Sequence, residues 1–203
     1  MARMTEELVL ASASIARARL LAAAGLDFRV EPAPLDEASL KRDYRAEGRR
    51  DAAACALALA EAKARQVAAH SPRAVVIGAD QILVCEETWF DKPGNLADAR
   101  NQLRALRGRT HTLVTAVCAV QGVTRLGHAI SEPRLRMRHF TDAFLDGYLA
   151  SEGPDVLGSV GAYRFEGGGV QLFEQIEGEY FAVLGLPLLD LLEFLRNKGI
   201  LLP

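Results

Sequence analysis

The run Ala74-Val75-Val76-Ile77-Gly78-Ala79-Asp80-Gln81-Ile82-Leu83-Val84 constrains this chain more than any other segment. Its β-branched apolar start reads as a strand buried on both faces. Gly78, Ala79, Asp80 and Gln81 then bring a carboxylate and an amide into the apolar run. Burying a carboxylate is costly unless a metal or a cation meets it. Asp80 is therefore expected at a strand end or kink that opens into a cleft. Lys92-Pro93-Gly94 follows and sets a cation in a rigid turn. Together they suggest metal-assisted chemistry on an anionic substrate. The alternative is that Asp80 caps a turn and Lys92 is solvated.

A length of 203 residues suits one sizeable core or two small lobes around one sheet. A net charge of −2 argues against a nucleic-acid coat or a membrane-surface protein, but not against a small phosphorylated ligand. Cys55, Cys85 and Cys118 are far apart and show no metal-binding spacing, so reduced thiols are expected. Met1 to Glu7 mixes charges of both signs and is not read as a signal peptide. No apolar run is long enough to span a bilayer. The expected compartment is the cytoplasm.

In chain order, Leu8 to Ala11 reads as a short buried strand. Ser12 and Ser14 follow and can cap a helix from Ile15 to Ala24. A strand, a hydroxyl-rich turn and a helix N-terminus make an anion site. Arg17 could reach that anion, while Arg19 is expected to face away. A plain capped helix with a solvated Arg17 is the alternative. Asp27 to Glu31 reads as a second strand. Asp36 and Glu37 are placed in the loop beyond it, as hard-metal ligands if they approach Asp80 and as solvated acids otherwise. The charged segment Lys41 to Arg50 is read as a mobile loop.

Asp51 to His70 is Ala-rich and helical, with Lys63 its candidate functional residue. Asn95 to Leu106 is a capped helix. His111 to Gln121 and Thr124 to Ile130 read as paired strands, and Pro133 favours an edge position for the half-exposed strand Leu135 to Phe140. His111, His128 and His139 lack ligand-like spacing and are read as structural. Thr141 caps a helix through Leu149. Val156 to Gly169 is Gly-rich, allowing tight hairpin turns or close approach to a ligand. There Tyr163, Phe165 and Glu166 could stack on a base and accept its N–H groups. Val170 to Ile176 reads as a strand, and Pro187 suits the first turn of a C-terminal helix. Strands and helices alternate early and strands cluster in the middle, which favours an α/β protein with a mixed sheet.

Several short motifs stand in a fixed order. They are Leu10-Ala11-Ser12-Ala13-Ser14 with Arg17, Asp36-Glu37, Ala60-Glu61-Ala62-Lys63-Ala64, Gly78-Ala79-Asp80, Lys92-Pro93, Leu106-Arg107-Gly108 with His111, Gly161-Ala162-Tyr163 and Gly185-Leu186-Pro187-Leu188. In this set the chain resembles the Maf family of nucleoside triphosphate pyrophosphatases over nearly its whole length. The resemblance implies one domain over residues 1–203 with a Maf/ITPase-like architecture: a twisted mixed β-sheet flanked by helices, in two lobes with a central nucleotide cleft. It implies hydrolysis between the α- and β-phosphates of a nucleoside triphosphate with a divalent metal cation such as Mg, Mn or Co. Asp80 would be the general base near the metal, and Glu37 the second acid at the metal. Arg17, Lys63 and Lys92 would neutralise the triphosphate, and Ser12 would hydrogen-bond a phosphate oxygen. A homodimer is expected on the same ground.

Gln81 after Asp80, and Glu166 in the late glycine motif, resemble the subgroup of 7-methyl-GTP pyrophosphatases. A carboxylate suits the donor edge of guanine, and more so a cationic methylated guanine. The chain departs from the family pattern at Ile15 and Ala18. It departs again at Ala16, which holds a position where the subgroup often has a large aromatic residue against the base. The competing readings are a dTTP/UTP-type pyrophosphatase and a non-catalytic nucleotide-binding regulator of cell division.

Overall fold

The computed structural model describes residues 6–202. Among them, eight strands form one sheet, with seven α-helices around it. The early strands are β1 (Leu8–Leu10), β2 (Arg29–Val30), β3 (Val75–Cys85) and β4 (Thr88–Phe90). The later ones are β5 (Thr110–Gln121), β6 (Thr124–Ser131), β7 (Arg134–Met137) and β8 (Phe173–Glu177). The main path runs β2-β1-β3-β5-β7-β8, with β4 added to β3 and β6 to β5. β1 is parallel to β2 and β3, and the other pairs are antiparallel, so the sheet is mixed as expected.

The pairing of β3 creates the cleft. On one edge β5 covers it from Val75 to Val84. On the other edge β1 covers Val75–Ile77 and β4 covers Leu83–Cys85. Gly78 to Ile82 therefore has no strand neighbour on that side. Asp80 sits in this gap, in mid-strand and only 3% exposed. This corrects the expected strand end or kink: the strand runs on, and its neighbours part. β5 divides its far edge in the same way, between β6 at Thr115 to Gln121 and β7 at Thr110 to Thr112. The sheet thus splays into two lobes.

Strand alternation sends side chains to opposite faces. Val75, Ile77 and Ala79 pack with Leu21 of α1 (Ile15–Ala23) and Leu191 and Leu195 of α7 (Leu188–Asn197). Val76 and Ile82 pack with α3 (Ala52–Ala68) on the other face. Helix α3 presents Ala56, Ala60, Ala64 and Ala68 at four-residue spacing, a ridge without bulk. Gly78 lies under that ridge, where a Cβ would come within 2.0 Å of the Ala60 carbonyl oxygen. Close approach of α3 to β3 is what brings Lys63 to Asp80. In the second lobe Leu83, Leu113, Leu135 and Met137 pack with α4 (Leu96–Leu106) and α5 (Asp142–Glu152).

Other expectations need correction. Asp36 and Glu37 are not in a loop. Asp36 caps α2 (Glu37–Ala46), its Oδ1 accepting from the Ser39 N–H at 2.9 Å, and Glu37 is the first helical residue. The expected loop from Lys41 to Arg50 is largely that helix, anchored by buried Tyr44. Pro133 does not make β7 an edge, because β7 lies between β5 and β8. The proline precedes the strand, where no N–H is required, and its carbonyl accepts from Leu113 N–H at 3.0 Å. The Gly-rich stretch forms three short 3-10 helices, Gly153–Gly158, Val160–Ala162 and Gly168–Leu172, instead of hairpins. Pro187 is the N-cap of α7, one residue before its first turn.

Candidate active site

A cleft of about 860 Å³ opens at the gap beside β3. Ser12, Ala16, Arg17, Glu37, Lys63, Asp80, Gln81, Lys92 and Glu166 all line it, whereas Asp36, the other candidate metal ligand, does not and caps α2 instead. Arg19, expected to face away, also reaches its rim.

At the floor, Lys63 Nζ donates to Asp80 Oδ1 at 2.7 Å and lies 2.8 Å from Glu37 Oε1. The ammonium and the Asp80 carboxylate are nearly solvent-free, whereas Glu37 reaches the open cleft. Burial raises the Glu37 pKa, but the field and hydrogen bond of Lys63, helped by Lys41, pull it below the usual carboxylate range. Asp80 Oδ2 is buried and has no hydrogen-bond partner among the described residues. A buried carboxylate oxygen without a donor is costly, so its position on a cleft floor marks a place for a cation or a water. Glu37 and Asp80 could hold a hard divalent ion. No third His, Cys, Asp or Glu completes a cluster among the described residues. Phosphate oxygens and water would supply the remaining ligands, as suits a magnesium-type ion.

Arg17 is held rigidly. Its Nη1 donates to Ser12 Oγ at 3.0 Å and to the Ala79 carbonyl at 2.8 Å, and its Nε to the Gly185 carbonyl at 2.8 Å. It therefore covers part of the strand edge that lacks a neighbour. The Ser14 hydroxyl caps α1 as expected. Lys92 stands at the rim, where desolvation and the neighbouring Arg17 and Lys63 hold its pKa below the usual lysine range. Gln81 points to the opposite face from Asp80. Its amide donates to Thr115 Oγ1 and to the Ala182 carbonyl, both at 2.9 Å, which ties β3 to α6 (Tyr180–Val183).

The far wall carries Glu166, exposed and without a polar partner among the described residues. Tyr163, Phe165 and Phe173 stack beneath its loop, with Tyr163 and Phe173 edge-on at 4.9 Å. His111 Nε2 lies 2.8 Å from the Tyr163 hydroxyl, and His111 Nδ1 is buried without a partner. Burial lowers the His111 pKa from 6.5 to about 4. The ring is thus neutral in the fold but titrates near 6.5 when unfolded, so stability is full above pH 6.5 and is lost as pH falls toward 4. The loss amounts to roughly 3 kcal/mol over that window. Urea unfolding of wild type and His111→Asn at several pH values checks it: the variant should show the shallower slope. Parallel slopes would assign the titration to other groups.

Sequence reasoning missed Lys41 and Asp91, which also line the cleft. The available signal was the four-residue spacing of Glu37 and Lys41 behind a capping Asp36, which puts both on one helix face.

A split mixed sheet whose gap gathers cations around a carboxylate pair defines an α/β protein with an anion-accepting cleft. The chain matches the model of the Maf-like protein family over residues 7–198, and it belongs to that family. It is 53% identical to a nucleoside triphosphate pyrophosphatase of Granulibacter bethesdensis, across 94% of this chain and 96% of the relative. A protein of the same name from Paramagnetospirillum magneticum is 50% identical across 96% of this chain and all of the relative. A 7-methyl-GTP pyrophosphatase of Rhizobium etli is 45% identical across 97% of this chain and 98% of the relative.

Proposed function

We propose that this chain is a nucleoside triphosphate pyrophosphatase that hydrolyses 7-methyl-GTP to 7-methyl-GMP and pyrophosphate, clearing modified guanine nucleotides from the pool. The observation that carries the reading is the unpaired, buried Asp80 Oδ2 on the floor of a cation-lined cleft. Lys63 fixes one oxygen of that carboxylate and leaves the other free to take a proton from water. The water oxygen then bonds to the α-phosphorus, and the bond from that phosphorus to the bridging oxygen breaks. The electron pair leaves with the pyrophosphate, and the proton stays on Asp80. Arg17, Lys63 and Lys92 stabilise the charge that develops. Ser12 Oγ accepts from Arg17, which leaves its hydroxyl proton for a phosphate oxygen. A Mg, Mn or Co ion held by Glu37 and Asp80 would lower the pKa of the attacking water and screen the phosphates.

The base preference is supported by Glu166 on the far wall, by Gln81 beside Asp80, and by the names of the relatives from Rhizobium etli and Rhizobium meliloti. Glu166 would accept from guanine N1–H and N2–H. Ala16 leaves the opposite side open. A cytoplasmic homodimer completes the proposal. Its cytoplasmic part is supported by three unpaired, buried cysteines, and no described helix is long and apolar enough to cross a membrane.

A pyrophosphate-release assay over 7-methyl-GTP, GTP, UTP and dTTP, with a metal titration, tests the reading. Turnover should be fastest on 7-methyl-GTP, and Glu166→Gln should reduce that preference by roughly tenfold or more. Faster hydrolysis of UTP or dTTP by wild type would remove the guanine assignment and leave the family assignment standing.

A further inference from the structure

We propose that Lys41 is a further substrate-binding residue, gripping the pyrophosphate end of the triphosphate, and that Asp91 holds it in position while the cleft is empty. The inference rests on the pyrophosphatase reading above. Glu37 and Lys41 lie one helical turn apart on α2 and face the same cleft. Glu37 turns to Lys63, and Lys41 Nζ meets Asp91 Oδ1 at 3.2 Å.

The pair is lopsided. The Lys41 side chain is 12% exposed and that of Asp91 is 70% exposed. An ammonium has three donors and is strongly hydrated, so one rim carboxylate does not replace its lost water. Its remaining donors suit phosphate oxygens. Desolvation lowers the Lys41 pKa, but the fields of Asp80, Asp91 and Glu37 more than offset this, so Lys41 stays charged beside the acid pair.

Charge balance leads to the same residue. A departing pyrophosphate carries several negative charges. Lys63 is already held between Asp80 and Glu37, and Arg17 gives three of its five N–H donors to Ser12 and two carbonyls. Lys92 and Lys41 line the same cleft and add positive charge for the remaining phosphate oxygens. Asp91 adjoins Lys92, and its carbonyl accepts from Gln102 of α4 at 2.9 Å, so its loop is anchored. An arriving phosphate competes with the Asp91 carboxylate for the same ammonium.

The experiment is calorimetric titration of the full chain with inorganic pyrophosphate, and separately with the nucleoside monophosphate product, in the buffer of the turnover assay. K41M should weaken pyrophosphate binding about tenfold or more and raise KM for the triphosphate, with monophosphate binding unchanged. K41R should restore most of the loss. D91N should bind pyrophosphate as tightly as wild type or more tightly, because a competing carboxylate is gone. A purely structural bridge predicts the opposite, equal losses in K41M and D91N, and that result overturns the proposal. So does K41M binding within twofold of wild type, or wild-type turnover without measurable pyrophosphate binding. If K41M does not fold, D91N and K41R decide alone: weaker binding in D91N defeats the assignment. A wild type that neither hydrolyses triphosphates nor binds pyrophosphate sinks the underlying function instead, whatever Lys41 does.

Discussion

Asp80→Asn is expected to lose a hundredfold or more of turnover while the protein keeps its fold. Asparagine matches the shape of aspartate, and its carbonyl oxygen can still accept from Lys63. Glu37 remains as an anion for that buried ammonium, so no uncompensated charge is created on the floor. What disappears is the free carboxylate oxygen, the group positioned to take a proton. General-base contributions of about a hundredfold to ten-thousandfold set the scale. Steady-state turnover per folded molecule, with a melting curve for each protein, is the measurement. Near-wild-type turnover in folded Asp80→Asn would falsify the assignment of Asp80 as base.

The largest effect on stability is expected at Gly78. A Cβ there would lie 2.0 Å from Ala60 O, 2.9 Å from Ala64 N and 3.0 Å from Ala64 Cβ. Two of those atoms are helix backbone, which cannot swing aside as a long side chain can. Gly78→Ala must therefore push α3 off the sheet. Overpacking of this kind costs about 3 kcal/mol or more, a fall of roughly 6–12 °C in Tm for a chain of this size. Turnover per folded molecule should fall as well, because α3 carries Lys63. Gly147→Ala is the control: it lies within α5 with nothing within 4 Å of its Cβ, so alanine should be neutral or stabilising. If the two variants melt alike, the contact between α3 and β3 is not close-packed as described.

Much of this architecture was legible because its signals are local. The β-branched run before Gly78 marked β3, and Asn95 and Thr141 marked helix starts through side-chain oxygens that accept from the first turn. Asp80 was singled out and does line the cleft, but it was wrongly placed at a strand end or kink. Its cleft exists because β1 stops at Leu10, opposite Ile77, and antiparallel β4 ends at Phe90, opposite Leu83, and no local sequence shows where those strands sit beside β3. Helix α2 was missed for a different reason. It buries only Tyr44, so its apolar periodicity is faint, and charge with a nearby Gly48 resembles a loop. The pair of Lys41 and Asp91 spans fifty residues of sequence and could not be read from spacing.

The placement of Asp80 in the middle of β3 bears on how the protein can diversify. Its strand is paired with β5 along almost its whole length, so the backbone amides that bond to β5 should exchange with solvent only through opening of that pairing. Glu166, by contrast, is an exposed side chain in the turn between two short 3-10 helices, off the sheet. If Glu166 reads the base as proposed, substitutions there need not disturb the strand that carries Asp80. A lineage can therefore drift in what it recognises while its hydrolytic step stays fixed.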